Sequence, residues 1–219
     1  VTGGGVTIGP EAECLVHEAG AVSMFRLMDR LGNGVKLGDD LVLTAQHIMD
    51  DERIAFAVDD CISQPRLVRT GGRGVQGADW TLALVETPAS VPSCPFEPTQ
   101  RVFPGQDVLV LGYWSQDGEA RFPVAVTGTI IETPSVFRPG WEAFGCMNLG
   151  RPIVWNGLSG SPVLVKDPGS SVWRLAGVYA GHASTHRDDY VQVFSRLPRN
   201  FSDLIDQADL MRRSSREPR

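Results

Sequence analysis

Cysteine is scarce in this chain of 219 residues: Cys14, Cys61, Cys94 and Cys146 are the four, and none belongs to a Cys-x-x-Cys pair. That spacing argues against a zinc knuckle or a dithiol redox centre. It leaves open two disulfides or four thiols, too few to be the main staple of the fold. The scarcity leans toward a reducing, cytoplasmic compartment. Positive charge is not in excess either. Twenty Lys and Arg against 26 Asp and Glu give a net charge of −6, the wrong sign for a nucleic-acid footprint. Arg212, Arg213 and Arg216 read as a solvated tail. No apolar run approaches the roughly 20 residues of a membrane span. No basic segment followed by an apolar stretch opens the chain. Residues 1–5 read as a processed start or as the edge of a domain from a longer protein. The expectation is a chain without nucleic-acid or membrane partners, with no cofactor and no metal.

What is present suits a globular core: 42% of residues are hydrophobic and 21% charged, enough for one compact body or two small halves packed together. Strand signals dominate. In the first half they cover residues 22–28, 41–45, 53–58, 66–70 and 80–85, with Leu31-Gly32-Asn33-Gly34 supplying turn chemistry after the first. Pro88, Pro92, Pro95, Pro98 and Pro104 then fall within one connection, where a central strand or a helix is excluded. Strand rhythm resumes over residues 107–113, 122–131, 141–147, 161–165, 172–180 and 190–197. The reading is all-β: two six-stranded antiparallel barrels with the active site between them and a C-terminal helix. The boundaries are an N-terminal barrel over residues 15–88, a Pro-rich linker over 89–105, a C-terminal barrel over 106–198 and the helix over 199–212. Helical spacing of Phe201, Leu204, Ile205, Ala208 and Met211, with Asn200 or Ser202 as cap, predicts a helix docked on the second barrel.

One stretch carries chemistry, Asn156-Gly157-Leu158-Ser159-Gly160-Ser161-Pro162-Val163. Glycine before the serine lets successive N–H groups converge on one small volume, and glycine after it removes a side chain that would crowd an incoming carbonyl. Ser159 then reads as a nucleophile, and the amides of Gly157 and Ser159 as an oxyanion hole. His47 stands at the end of a strand and Asp79 just before another, where a histidine partner would satisfy a half-buried carboxylate. The order His, Asp, Ser places base and orienting acid on one half and the nucleophile on the other. The α/β-hydrolase alternative fails, because its order is Ser, Asp, His and its Gly-x-Ser-x-Gly elbow is broken here by Ser161.

These stretches resemble those of the chymotrypsin-fold (trypsin-like) serine peptidases over nearly the whole chain. Leu43-Thr44-Ala45-Gln46-His47 is similar to Leu-Thr-Ala-Ala-His, and Asp79-Trp80-Thr81-Leu82-Ala83-Leu84 to Asp-Ile-Ala-Leu-Leu. Gly157-Leu158-Ser159-Gly160-Ser161-Pro162-Val163 resembles Gly-Asn-Ser-Gly-Ser-Pro-Val of the bacterial glutamyl-endopeptidase branch more than Gly-Asp-Ser-Gly-Gly-Pro. Residues 108–113 and 175–181 match the strands that open and line the second barrel. The resemblance implies a serine endopeptidase: acyl transfer with His47, Asp79 and Ser159 as triad, and activity that falls below about pH 6–7 as His47 protonates. Its partners would be a polypeptide substrate and a regulatory partner or further domains.

The sequence also departs from the family pattern. Leu158 stands where trypsin has an aspartate that receives a processed N-terminus, so the site should form without that insertion. Ala180 replaces a serine that many relatives place against the triad acid. By resemblance the substrate pocket is walled by Ile153 and Asn156, by Tyr179, Ala180, Gly181 and His182, and by Gln192. Ile153 at its floor disfavours Arg or Lys, while Tyr179, His182 and Gln192 offer polar contacts. His182 and His186 have a metal-like spacing, but the Ser/Thr-rich loop between them argues against a helix that would align them. The alternative from another class is a catalytically silent scaffold that binds peptides. Esterolysis is a third reading, since the same acyl chemistry serves both.

Overall fold

The computed structural model describes residues 4–26, 30–49, 56–58, 61–64, 66–70, 78–115, 121–135, 137, 141–150, 157–184 and 190–216. In chain order the elements are β1 (Val6–Ile8), α1 (Pro10–Glu18), β2 (Ala21–Arg26), β3 (Arg30–Gly38), β4 (Leu41–Thr44), β5 (Phe56–Val58), β6 (Cys61–Ser63), β7 (Arg66–Thr70) and β8 (Thr81–Leu84). The second half holds β9 (Asp107–Trp114), β10 (Phe122–Ile131), β11 (Phe144–Asn148), β12 (Pro162–Lys166), β13 (Arg174–Ser184), β14 (Tyr190–Arg196) and α2 (Phe201–Arg216).

In the second half, β10-β11-β14-β13-β12-β9 form an antiparallel run, and β9 pairs back onto β10, closing a six-stranded barrel with β1 added outside it. The first half is a seven-stranded antiparallel sheet in the order β6-β5-β2-β3-β4-β8-β7. Among the described residues no ladder joins its two end strands. Its edges, β6 and β7, nevertheless follow one another in the chain, so the sheet must curl to bring them together.

Three apolar clusters organise the interior. Val108, Val126, Leu158, Val163, Tyr179 and Phe194 fill the closed barrel, and Val22, Met24, Val42, Ile48 and Val85 fill the first half. The third cluster joins Leu43 and Leu82 of the first sheet, Leu111 and Leu164 of the second, Ala12 and Val16 of α1, and Phe201 and Leu204 of α2. The halves are therefore fused through one continuous core.

The elements that sequence reading did not anticipate have local causes. Helix α1 starts with Pro10 at its first turn, carries Glu11 and Glu13 there and His17 in its last turn, each suited to its end of the dipole. It buries Ala12 and Val16, four residues apart, and its C-cap Ala19 is buried as well. Strand β3 runs through the very residues read as a turn. Gly32 and Gly34 are there for close approach. A Cβ on Gly32 would lie 2.2 Å from Ile48 Cδ1, and one on Gly34 2.6 Å from Met24 Sδ. Helix α2 does not rest on the second half alone. Its Arg66 contact (Nη2 to the Met211 carbonyl, 3.0 Å) and the Arg212–Asp39 ion pair at 3.1 Å carry it onto the first sheet. The apolar stripe faces a core shared by both halves, which sequence spacing cannot reveal.

The proline-rich connection is pinned at Pro88, Val91, Cys94 and Thr99. Lys36, only 6% exposed, donates to the carbonyls of Pro88 and Val91 at 3.1 and 2.9 Å. Cys94 N–H donates to the Lys36 carbonyl, and Thr99 N–H to that of Leu175. Lys36→Met keeps the stem's packing but strands two carbonyls. It should lower unfolding free energy by about 1–3 kcal/mol, read as a shift in urea midpoint; an unchanged midpoint would show that the ammonium contributes nothing to the connection.

Candidate functional site

Strand β4 is buried throughout and runs out at Thr44. Ala45 is extended, and residues 46–48 form a single 3-10 turn. Ile48 and Met49 anchor that turn in the first-half core, leaving His47 on the open side. The ladder that pairs β4 with β8 sets Thr44 opposite Thr81. Continuing the antiparallel register two residues beyond Thr81 places Asp79 beside the histidine turn. Its neighbours Ala78 and Trp80 are buried, fixing the backbone from which the carboxylate projects.

Asp79 takes two donors from one residue. Oδ1 accepts the His47 backbone N–H at 2.9 Å, and Oδ2 accepts Nδ1–H at 2.6 Å. An ionised carboxylate only accepts, so the ring's proton is on Nδ1 and Nε2 is the acceptor nitrogen. The His47 side chain is 42% exposed and that of Asp79 22%: the pair lies at a surface that a substrate can reach.

Ser159 sits in a turn that leads into β12. Ser161 N–H closes the turn onto the Leu158 carbonyl, Gly160 N–H donates to Tyr179, and Tyr179 N–H donates to Ser161. On the opposite side the Ser159 carbonyl accepts Asn33 N–H from β3 at 2.7 Å. The Asn33 carbonyl in turn receives the Thr44 hydroxyl at 2.5 Å, three residues before His47. Gly32, against which Ile48 packs, also abuts the Ser159 carbonyl. The serine turn and the histidine turn thus meet on the same two residues of β3. Gly157 has φ 77°, and Leu158 is fully buried in the barrel core. Among the described residues no acceptor takes the N–H of Gly157 or of Ser159.

The remaining sequence candidates separate into groups. Ile153, Asn156 and His186 lie outside the described residues. Ala180 and Gly181 stand at a register shift between β13 and β14. The shift places Gln192 opposite His182, whose exposed ring meets Tyr190 edge-on at 5.2 Å. Tyr179 and Gln192 do not stand open to a substrate as expected. Tyr179 is 1% exposed and Gln192 4%, and the tyrosine hydroxyl donates to Gln192 Oε1. Burial pushes that hydroxyl's ionisation well above the usual phenol range. Two polar groups that pair across neighbouring strands satisfy each other, which the sequence gives no means of foreseeing. All four cysteines are free thiols, and burial pushes Cys94 and Cys146 up in pKa, away from the reactive thiolate. Among the described residues no group of three or more His, Cys, Asp or Glu could hold a metal ion.

Asn33 is the residue that sequence reading missed. The signal was its position between two glycines in a stretch of otherwise strand-compatible pattern, which marks close backbone approach as readily as a turn.

Residues 32–172 match the family model described as the trypsin-like peptidase domain. In fold the chain is similar to an inactivated protease paralogue of the scabies mite, S-I1, with TM-score 0.65 and 18% identity over 95% of this chain and 99% of that one. No curated protein matches the chain.

Proposed function

Because this chain belongs to the trypsin-like peptidase family, we propose that it is a serine endopeptidase that cleaves peptide bonds through an acyl-enzyme on Ser159. In this reading the curled first sheet is the partner barrel, and the substrate lies in the crevice between the halves. His47 Nε2 takes the Ser159 hydroxyl proton as Oγ attacks the scissile carbonyl. The amides of Gly157 and Ser159 receive the oxyanion, and His47 returns the proton to the leaving amine. Water then repeats the sequence to release the acid. Asp79 holds the reactive tautomer and stabilises the imidazolium. The observation that carries the reading is the double grip of Asp79 on the backbone and ring of His47, an arrangement that a solvated turn aspartate has no cause to adopt.

For specificity, His182 is the exposed polar side chain of the expected wall, and Ile153 at the expected floor disfavours a basic residue. Kinship with the glutamyl-endopeptidase branch rests on the nucleophile motif alone. A second reading, a silent peptide-binding scaffold, is supported by the likeness in fold to the scabies mite protein, an inactivated protease paralogue. Labelling by a fluorophosphonate decides between them. An active peptidase gives one covalent adduct on Ser159, lost in Ser159→Ala and His47→Ala; a scaffold gives none.

A further inference from the structure

Gly157 has no side chain to restrict its rotation, and its carbonyl is held by two donors from outside the turn. Asn33 Nδ2 lies 2.7 Å from it and Arg121 Nη2 3.0 Å. The same two side chains also share the Tyr113 carbonyl, at 3.0 and 2.8 Å, while Asn33 Oδ1 accepts the Tyr113 N–H at 2.8 Å. Arg121 reaches across to the first sheet as well, donating to Ser23 Oγ. Asn33 is fully buried, and its backbone N–H holds the Ser159 carbonyl. One residue of the first half therefore grips the carbonyls on both sides of Leu158.

We propose that Asn33 and Arg121 are positioning residues that preset the oxyanion-binding amides, a proposal that rests on the peptidase reading above. The Gly157 carbonyl belongs to the peptide plane between the two that carry the oxyanion amides, and the Ser159 carbonyl to the plane just after them. With the first plane held by two donors, one of them cationic, and the second by the Asn33 N–H, rotation about Gly157 and Leu158 that would swing the neighbouring N–H groups out of the site is opposed. The device needs no charge within the turn, which accounts for the buried Leu158. It also needs no inserted N-terminus. Gly5 N–H instead donates to Thr127 Oγ1 on β10, and β1 pairs with β10 through Val6 and Val126. Holding the turn from the first half further makes the oxyanion site depend on correct docking of the two sheets.

The test is the rate constant and end-point of Ser159 phosphonylation by a fluorophosphonate, followed as a function of pH. Arg121→Gln and Asn33→Asp should slow the plateau rate about 10–100-fold, somewhat less than deleting an oxyanion donor outright, with the pH midpoint and the final labelled fraction unchanged. Arg121→Lys should recover part of the rate. Wild-type rates in Arg121→Gln overturn the proposal. So does a reduced labelled fraction that reacts at the wild-type rate, because that marks a folding defect and not a mis-set turn. If Asn33→Asp does not fold, the Arg121 pair decides alone. A wild-type protein that does not label on Ser159 overturns the peptidase reading, and the proposal with it, which is a different result from variants that label normally.

Discussion

Asp79→Asn is expected to slow phosphonylation of Ser159 about 10⁴-fold while leaving the urea midpoint nearly unchanged. The reason lies in counting acceptors. Asp79 offers an oxygen to the His47 backbone N–H and another to Nδ1–H. Asparagine has one oxygen and one amide. If its oxygen stays on the backbone N–H, its NH₂ faces Nδ1, which must then become the acceptor. The proton moves to Nε2, and the nitrogen that should take the serine's proton already carries one. If the amide flips, two donors collide at the backbone. Packing is untouched in the first case, so the loss appears in rate and not in stability. A variant that labels within tenfold of wild type would remove Asp79 from the mechanism and leave the His47 contact a structural one.

What the sequence made legible follows from what local patterns encode. His47 and Asp79 each sit at a strand end, and strand ends are written in alternation and turn residues. The β4–β8 register then brings them together without any long-range specification beyond the ladder. The turn that carries Ser159 was legible because glycines flank it. The support for these residues was not. Asn33 looked like the tip of a turn, since Gly-Asn-Gly is turn chemistry in most contexts. Its true setting is a strand approached closely by Ile48, by Met24 and by the serine turn, a requirement set by parts of the chain far away in sequence. Tyr179 and Gln192 read as pocket polar groups because nothing local shows that a register shift on β13 lets them bond each other. Helix α1 hid behind its size: nine residues whose buried positions are one alanine and one valine make a weak apolar stripe.

Gly160→Ala is expected to cost about 2–4 kcal/mol of stability and to slow Ser159 labelling in the fraction that remains folded. Two penalties act at once. Gly160 has φ 84°, a conformation that costs an L-residue about 1–2 kcal/mol. A Cβ there would lie 1.9 Å from the Asn33 carbonyl oxygen and 2.4 Å from Thr44 Oγ1. The first of these is backbone and cannot swing aside. Relieving the overlap means pushing β3 away from the serine turn, which breaks the Asn33–Ser159 hydrogen bond and separates the two turns that carry His47 and Ser159. Gly169→Ala isolates the first penalty, because Gly169 has φ 78° with nothing within 4 Å of its added Cβ. Its cost should stay at about 1–2 kcal/mol, with labelling unaffected. Equal losses in the two alanine variants would mean that backbone strain alone is being measured and that the halves do not meet at Gly160. A larger loss at Gly160, accompanied by slower labelling, follows if the contact between β3 and the serine turn joins the halves and the reactive groups alike.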